Sequence, residues 1–131
     1  AASPPRPQLV RHLMTTPVLT VSADATLEQV RAEYEAHGVS GAPVLRGGEL
    51  AGILSRRDIR AAERDGRTHL KVASCMSHEV RTTHPDRPLA RALEEMVEAD
   101  VGRLPVLEEG QLVGIVTRTD VLRVLYPDRD A

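Results

Sequence analysis

The sequence predicts an α+β fold of two β-α-β-β-α repeats packed as one pseudo-twofold body. Three observations carry that prediction. First, residues 14–62 overlie residues 76–124 at a constant offset of 62 with no gap. Identities fall at Met14/Met76, Val18/Val80, Thr20/Thr82, Asp24/Asp86, Leu27/Leu89, Val39/Val101, Gly48/Gly110, Leu50/Leu112 and Arg56/Arg118. Second, each copy alternates short β-branched runs with a stretch whose apolar residues recur at helical spacing. Third, a glycine-containing turn separates the second and third apolar runs of each copy, as in a hairpin. A unit of about 50 residues buries too little apolar surface to stand alone comfortably, so the repeats are expected to pack together with a groove between them.

The elements follow in order. Residues 1–11, opening AASPPRPQ, read as a flexible leader, residues 12–64 as the first repeat, 65–74 as a linker, 75–126 as the second repeat and 127–131 as a tail. Val18-Leu19-Thr20-Val21 is the first strand. Asp24 or Thr26 caps a helix whose face carries Leu27, Val30 and Tyr34, and Gly38 sits where a left-handed residue ends it. Ala42 to Arg46 and Leu50 to Leu54 form the hairpin strands across Gly47-Gly48-Glu49. Pro43 stands near a strand start, where a missing N–H is tolerated. Ser55 begins a helix from Arg56 to about Arg64, and Glu109-Gly110 repeats the turn in the second copy.

Composition narrows the function. Phe and Trp are absent and Tyr34 and Tyr126 are the only aromatics, so base stacking on a nucleic acid is poorly supported. With 17 Lys and Arg against 19 Asp and Glu, the net charge of −2 gives no grip on a phosphate backbone. The single Cys75 excludes an internal disulfide and fits a reducing, cytoplasmic setting. No apolar run approaches the ~20 residues of a membrane helix. The five histidines, His12, His37, His69, His78 and His84, show no ligand spacing, so no metal is expected. No nucleophile elbow or phosphate loop is visible, so neither catalytic residues nor enzyme activity is expected.

One motif is written twice: Gly52-Ile53-Leu54-Ser55-Arg56-Arg57-Asp58 and Gly114-Ile115-Val116-Thr117-Arg118-Thr119-Asp120. It has two readings. Ser-x-x-Asp and Thr-x-x-Asp at a strand-to-helix junction suit a capping box, each worth about 1 kcal/mol. The same helix start also offers free N–H groups and partial positive charge to a phosphate, supplemented by Arg56 or Arg118. The aspartate would repel phosphate but suits the two donors of a ribose diol. Ribose on aspartate and phosphate on the helix end describe a nucleotide.

The chain resembles a tandem pair of cystathionine β-synthase (CBS) domains over roughly residues 12–125. The resemblance rests on Met14-Thr15-Thr16-Pro17-Val18 and Cys75-Met76-Ser77, on Gly38-Val39-Ser40-Gly41-Ala42-Pro43-Val44 and Val101-Gly102-Arg103-Leu104-Pro105-Val106, and on the two Gly-Ile-x-Ser/Thr-x-x-Asp segments. It implies a regulator that senses AMP, ADP, ATP or S-adenosylmethionine in the cleft between repeats, with no required cofactor. It implies one site of Ser55 and Asp58 with His78, Val80, Gly102, Arg103 and Leu104. The other would join Thr117 and Asp120 with Thr16, Val18, Ser40, Gly41 and Ala42. His78 and Arg103 make the first more cationic and suited to di- or triphosphates. The apolar helix faces Leu27–Tyr34 and Leu89–Val97 are expected to exceed what one module covers, giving a disc-like homodimer. The alternatives are a ligand-free dimerisation scaffold, and a regulatory fragment of a larger enzyme or transporter with an effector domain outside this sequence.

Overall fold

A computed structural model describes residues 8–127. The chain forms two compact units. A continuous unit holds Leu19–Val80, and a split unit joins residues 8–18 to residues 81–127.

The continuous unit contains β1 (Val21–Ser22), α1 (Leu27–His37), β2 (Gly41–Arg46), β3 (Glu49–Ser55), α2 (Arg56–Arg64) and a 3-10 turn at Val72–Ser74. Its sheet has the order β1-β2-β3, with β1 parallel and β3 antiparallel to β2. Thr26, rather than Asp24, caps α1: its hydroxyl accepts the Gln29 N–H at 3.3 Å while Gln29 accepts the Thr26 N–H at 3.0 Å. Gly38 ends the helix at φ 65°. The inner face of α1, Leu27, Val30 and Tyr34, packs with Val44, Leu54 and Val72 in one buried cluster. Buried Tyr34 keeps its polar end satisfied by donating to the Leu54 carbonyl at 2.6 Å.

The split unit contains a 3-10 turn at Val10–His12, α3 (Leu89–Ala99), β4 (Arg103–Glu108), β5 (Gln111–Thr117) and α4 (Arg118–Leu125). β4 and β5 form an antiparallel hairpin with the register of β2 and β3 shifted by 62. Its core is Val10, Leu89, Ala92, Met96, Leu104, Val106, Val116 and Val121. Here Asp100 stands in for Gly38 as the left-handed end of the helix, at φ 53°.

A backbone lead-in completes each unit. Met76 lies over Gly52, and Ser77 exchanges both backbone hydrogen bonds with Ile53, at 2.9 and 3.0 Å. Met14 lies over Gly114, and Thr15 exchanges both with Ile115, at 2.8 and 3.2 Å. The 62-residue correspondence therefore extends back to Val10 and Val72, whose N–H groups bond the Arg87 and Ala25 carbonyls at 2.8 Å each. Val72, inside the stretch read as a linker, is fully buried, and so is Val10 in the stretch read as a leader. The rest of that leader, residues 1–7, lies outside the described residues, as do 128–131 of the expected tail.

Two expectations need correction. The first strand is not Val18–Val21: β1 is Val21–Ser22, pairing with Val44 and Leu45. Farther back the ladder would run along Pro43, which has no N–H to donate. The Leu27–Tyr34 face leaves no apolar surface over, since Leu27, Val30 and Tyr34 are all consumed by their own core. Outward of them α1 shows Arg31 and Glu35, as the 3.6-residue period requires.

Candidate ligand-binding site

The hairpin of each unit gathers the expected residues at one end. In the continuous unit Gly41, the first residue of β2, stands opposite Ser55, the last of β3. The Ser40 carbonyl accepts the Arg56 N–H at 2.8 Å, binding the start of α2 to the segment before β2. Ser40, Gly41 and Ala42 thus share that end with Ser55 and Asp58. The Ser77–Ile53 pairing brings the following residues, exposed His78 and half-buried Val80, into the same unit. In the split unit Arg103 stands opposite Thr117, and the Gly102 carbonyl accepts the Arg118 N–H at 2.9 Å. Gly102, Arg103 and Leu104 share that end with Thr117 and Asp120. Thr15–Ile115 pairing leads into exposed Thr16 and half-buried Val18. Ser77 and Thr15 lie outside the site read from sequence. The available signal was their common place after Met76 and Met14.

The two hydroxyl–aspartate pairs differ in how they are occupied. Ser55 Oγ accepts the Asp58 N–H at 3.2 Å, and Asp58 Oδ2 accepts the Ser55 N–H at 2.9 Å and its hydroxyl at 3.0 Å. That is a complete capping box with aspartate in place of the longer glutamate. Thr117 Oγ1 accepts the Asp120 N–H at 3.2 Å. The Asp120 carboxylate does not return the bond. It faces Arg123 at 3.8 Å and its side chain is 41% exposed. A carboxylate so placed can accept from a ligand hydroxyl without first releasing a backbone partner.

The arginines also differ. Arg56 bends away from the role read from sequence: its Nε donates to the Val39 carbonyl at 2.7 Å and its Nη2 to the Tyr34 carbonyl at 3.2 Å. It is a cation closing the C-terminal end of α1, where the helix dipole favours one. Arg118 makes no such pair of bonds and lines a groove between α3 and α4 with Leu93, Val97 and Leu122. Among the described residues, no cluster of His, Cys, Asp or Glu could hold a metal ion, and no helix is long and apolar enough to cross a membrane.

The family model of the CBS domain matches residues 10–65 and again 72–127. CBS domain-containing protein YhcV of Bacillus subtilis is 36% identical over 116 residues, 86% of this chain and 81% of that protein. The A-adding tRNA nucleotidyltransferase of Geobacter sulfurreducens is 36% identical over 115 residues, 87% of this chain. The chain spans only 13% of that enzyme's length. The solved CBS domain pair of protein MJ0100, in complex with 5′-methylthioadenosine and S-adenosyl-L-methionine, matches with a TM-score of 0.86. It covers 95% of this chain and 100% of that one at 23% identity, a likeness of fold.

Proposed function

The chain belongs to the CBS-domain family as a tandem pair of its repeats, and from that premise we propose that it is a regulatory module binding an adenosine-containing ligand. The observation that carries the reading is the convergence, in each unit, of a hydroxyl-capped helix start with the segment opening the hairpin's first strand. The helix start supplies the N–H that its caps leave over, that of Arg57 or of Thr119, to a phosphate or carboxylate. Asp120, and the Oδ1 atom of Asp58, supply acceptors to a ribose diol. Thr117, His78, Arg103 and Arg118 add donors, and Ser55 joins them by turning its hydroxyl away from Asp58. Val18, Val80, Ala42 and Leu104 offer aliphatic surface to the base, with Thr16, Ser40, Gly41 and Gly102 beside them. Arg56 acts as a positioning residue, holding α1 against the start of α2. The similar MJ0100 pair binds 5′-methylthioadenosine and S-adenosylmethionine, which supports the adenosine class. Occupancy is transmitted by population shift, the ligand favouring whichever packing or dimer arrangement binds it more tightly.

Titration calorimetry with AMP, ADP, ATP, S-adenosylmethionine and 5′-methylthioadenosine tests this reading. At least one should bind, and Asp120→Ala should weaken a site by about 1–3 kcal/mol. Double-mutant cycles of Arg103 with Asp58 and with Asp120 assign Arg103 to one pair. Absence of heat from all five ligands would leave the second reading, a ligand-free scaffold. The complete Ser55–Asp58 box favours that reading at one of the two motifs, since it accounts for both side chains without a ligand.

A further inference from the structure

The two hydroxyl–aspartate motifs differ at one neighbouring position that bears on the carboxylate. Three residues after Asp120, one turn along α4, stands Arg123, with its Nη1 3.8 Å from Asp120 Oδ1. Shifted by 62, the residue three after Asp58 is Ala61. With alanine there, the Asp58 carboxylate folds back onto the cap, and Oδ2 accepts both the Ser55 N–H and the Ser55 hydroxyl. A carboxylate oxygen takes about two hydrogen bonds, so Oδ2 is filled and Oδ1 alone is open. Turning the Ser55 hydroxyl away frees only half of Oδ2, because the backbone N–H stays. Among the described residues, neither oxygen of Asp120 accepts a hydrogen bond. The Arg123 pair is too long to be one, and the arginine side chain is 68% exposed. Thr117 also keeps its hydroxyl proton, which Ser55 gives to Asp58.

A ribose presents two adjacent hydroxyls, and a carboxylate with both oxygens open accepts one on each. Resting on the adenosine-ligand reading above, we infer that Asp120 is the residue that distinguishes ribose from 2′-deoxyribose. Arg123 is its positioning residue, keeping the carboxylate off the cap. At Asp120 the 2′-hydroxyl has an oxygen of its own, so its removal leaves a charged acceptor without its donor. At Asp58 the two hydroxyls compete for Oδ1, and the 3′-hydroxyl takes it when the other is missing. The motif with the open carboxylate therefore selects ribonucleosides, and the motif with the closed box accepts their deoxy forms nearly as well. This division concerns the sugar alone and holds whatever group the 5′ carbon carries.

Titration calorimetry of the full chain tests this with AMP, ADP, ATP, 5′-methylthioadenosine and S-adenosylmethionine, each beside its 2′-deoxy form. Asp58→Asn and Asp120→Asn disable one motif each. An amide oxygen still accepts a cap N–H, so both variants should keep the circular dichroism of the unaltered chain. Asp58→Asn should bind the ribo form about tenfold or more tighter than the deoxy form. Asp120→Asn should show a ratio of about threefold or less, or bind neither form. Arg123→Ala added to Asp58→Asn should lower the first ratio about twofold. The melting temperature should not move, since an exposed ion pair contributes little to stability. Equal ratios in the two asparagine variants, or no binding by Asp58→Asn, overturn the assignment to Asp120 and leave the adenosine reading standing. A ratio that does not fall on Arg123→Ala overturns the positioning role. No heat from any ribo form with the unaltered chain overturns the adenosine reading, and the assignment with it.

Discussion

Asp58 and Ser55 hold each other from both ends, the hydroxyl accepting one backbone N–H and the carboxylate accepting the other. Thr117 and Asp120 close only half of that exchange. Removing the Asp58 carboxylate leaves a half-buried N–H without its acceptor, so Asp58→Ala should cost about 1–2 kcal/mol of stability. Asp120→Ala should cost about 0.5 kcal/mol, from the helix dipole alone. Urea denaturation midpoints compare the two, and equal losses would mean that the capping box contributes nothing special.

The strand glycines under the methionines are not equally replaceable. A Cβ on Gly52 would stand 2.6 Å from both the Met76 sulfur and the Ser77 carbonyl oxygen. The three atoms nearest a Cβ on Gly114 all belong to the Met14 side chain, the closest at 2.6 Å. A thioether can swing aside, whereas the Ser77 carbonyl belongs to the backbone exchange with Ile53. Gly52→Ala should therefore destabilise by about 2–3 kcal/mol and Gly114→Ala by about 1 kcal/mol. Thermal melts of both variants check the order.

Each repeat also serves as a template for improving the other. Thr83 occupies the place of Val21, is 5% exposed, and its hydroxyl has no hydrogen-bond partner. Thr83→Val removes that orphan group at nearly constant volume and should stabilise by about 1 kcal/mol. Asp100 occupies the place of Gly38 in the left-handed region. Asp100→Gly should add up to about 1 kcal/mol by relieving the Cβ. Differential scanning calorimetry should show a raised melting temperature for each. A lowered one for Thr83→Val would mean that its hydroxyl finds a partner in solution.

Acid should act through the tie between the lead-in and the loop before α3. Arg11 donates to Asp86 from Nε at 2.9 Å and again from its terminal nitrogen. That hydrogen bond holds the Asp86 carboxyl below its ordinary value. Desolvation opposes it, and the charges of Arg11 and His84 add to it. A folded value below the unfolded one gives stability that is complete above about pH 4 and lost as pH falls through the folded value. The stability gap between the unaltered chain and Asp86→Asn should therefore be small at neutral pH, the pair being exposed, and should close on acidification. Melts from neutral pH downward check this. A gap that widens in acid would reverse the assigned sign.

Much of the fold was legible because duplication allowed each element to be read twice. Ser55 as a cap, Gly38 as a helix end and the paired hairpins all follow from local rules, and local rules decided them. The lead-ins were less legible. Val10 follows Leu9 and Val72 precedes Ala73, apolar pairs between polar neighbours that are too short to show a period or to announce burial. Their role depends on contacts far along the chain, with Arg87 and with Ala25. Arg56 shows the same limit at the site. Its position at a helix start suggests a phosphate, but the backbone there also brings the carbonyls of Tyr34 and Val39 within reach, and those contacts take the guanidinium first.

The two lead-ins impose an order on biosynthesis. The continuous unit has all of its core once Val80 has left the ribosome. The split unit does not: Val10 and Met14 are made about a hundred residues before Gly114 and Ile115. During that interval Val10 and Met14 have nowhere to dock, so the part of the split unit translated first waits longest for shelter.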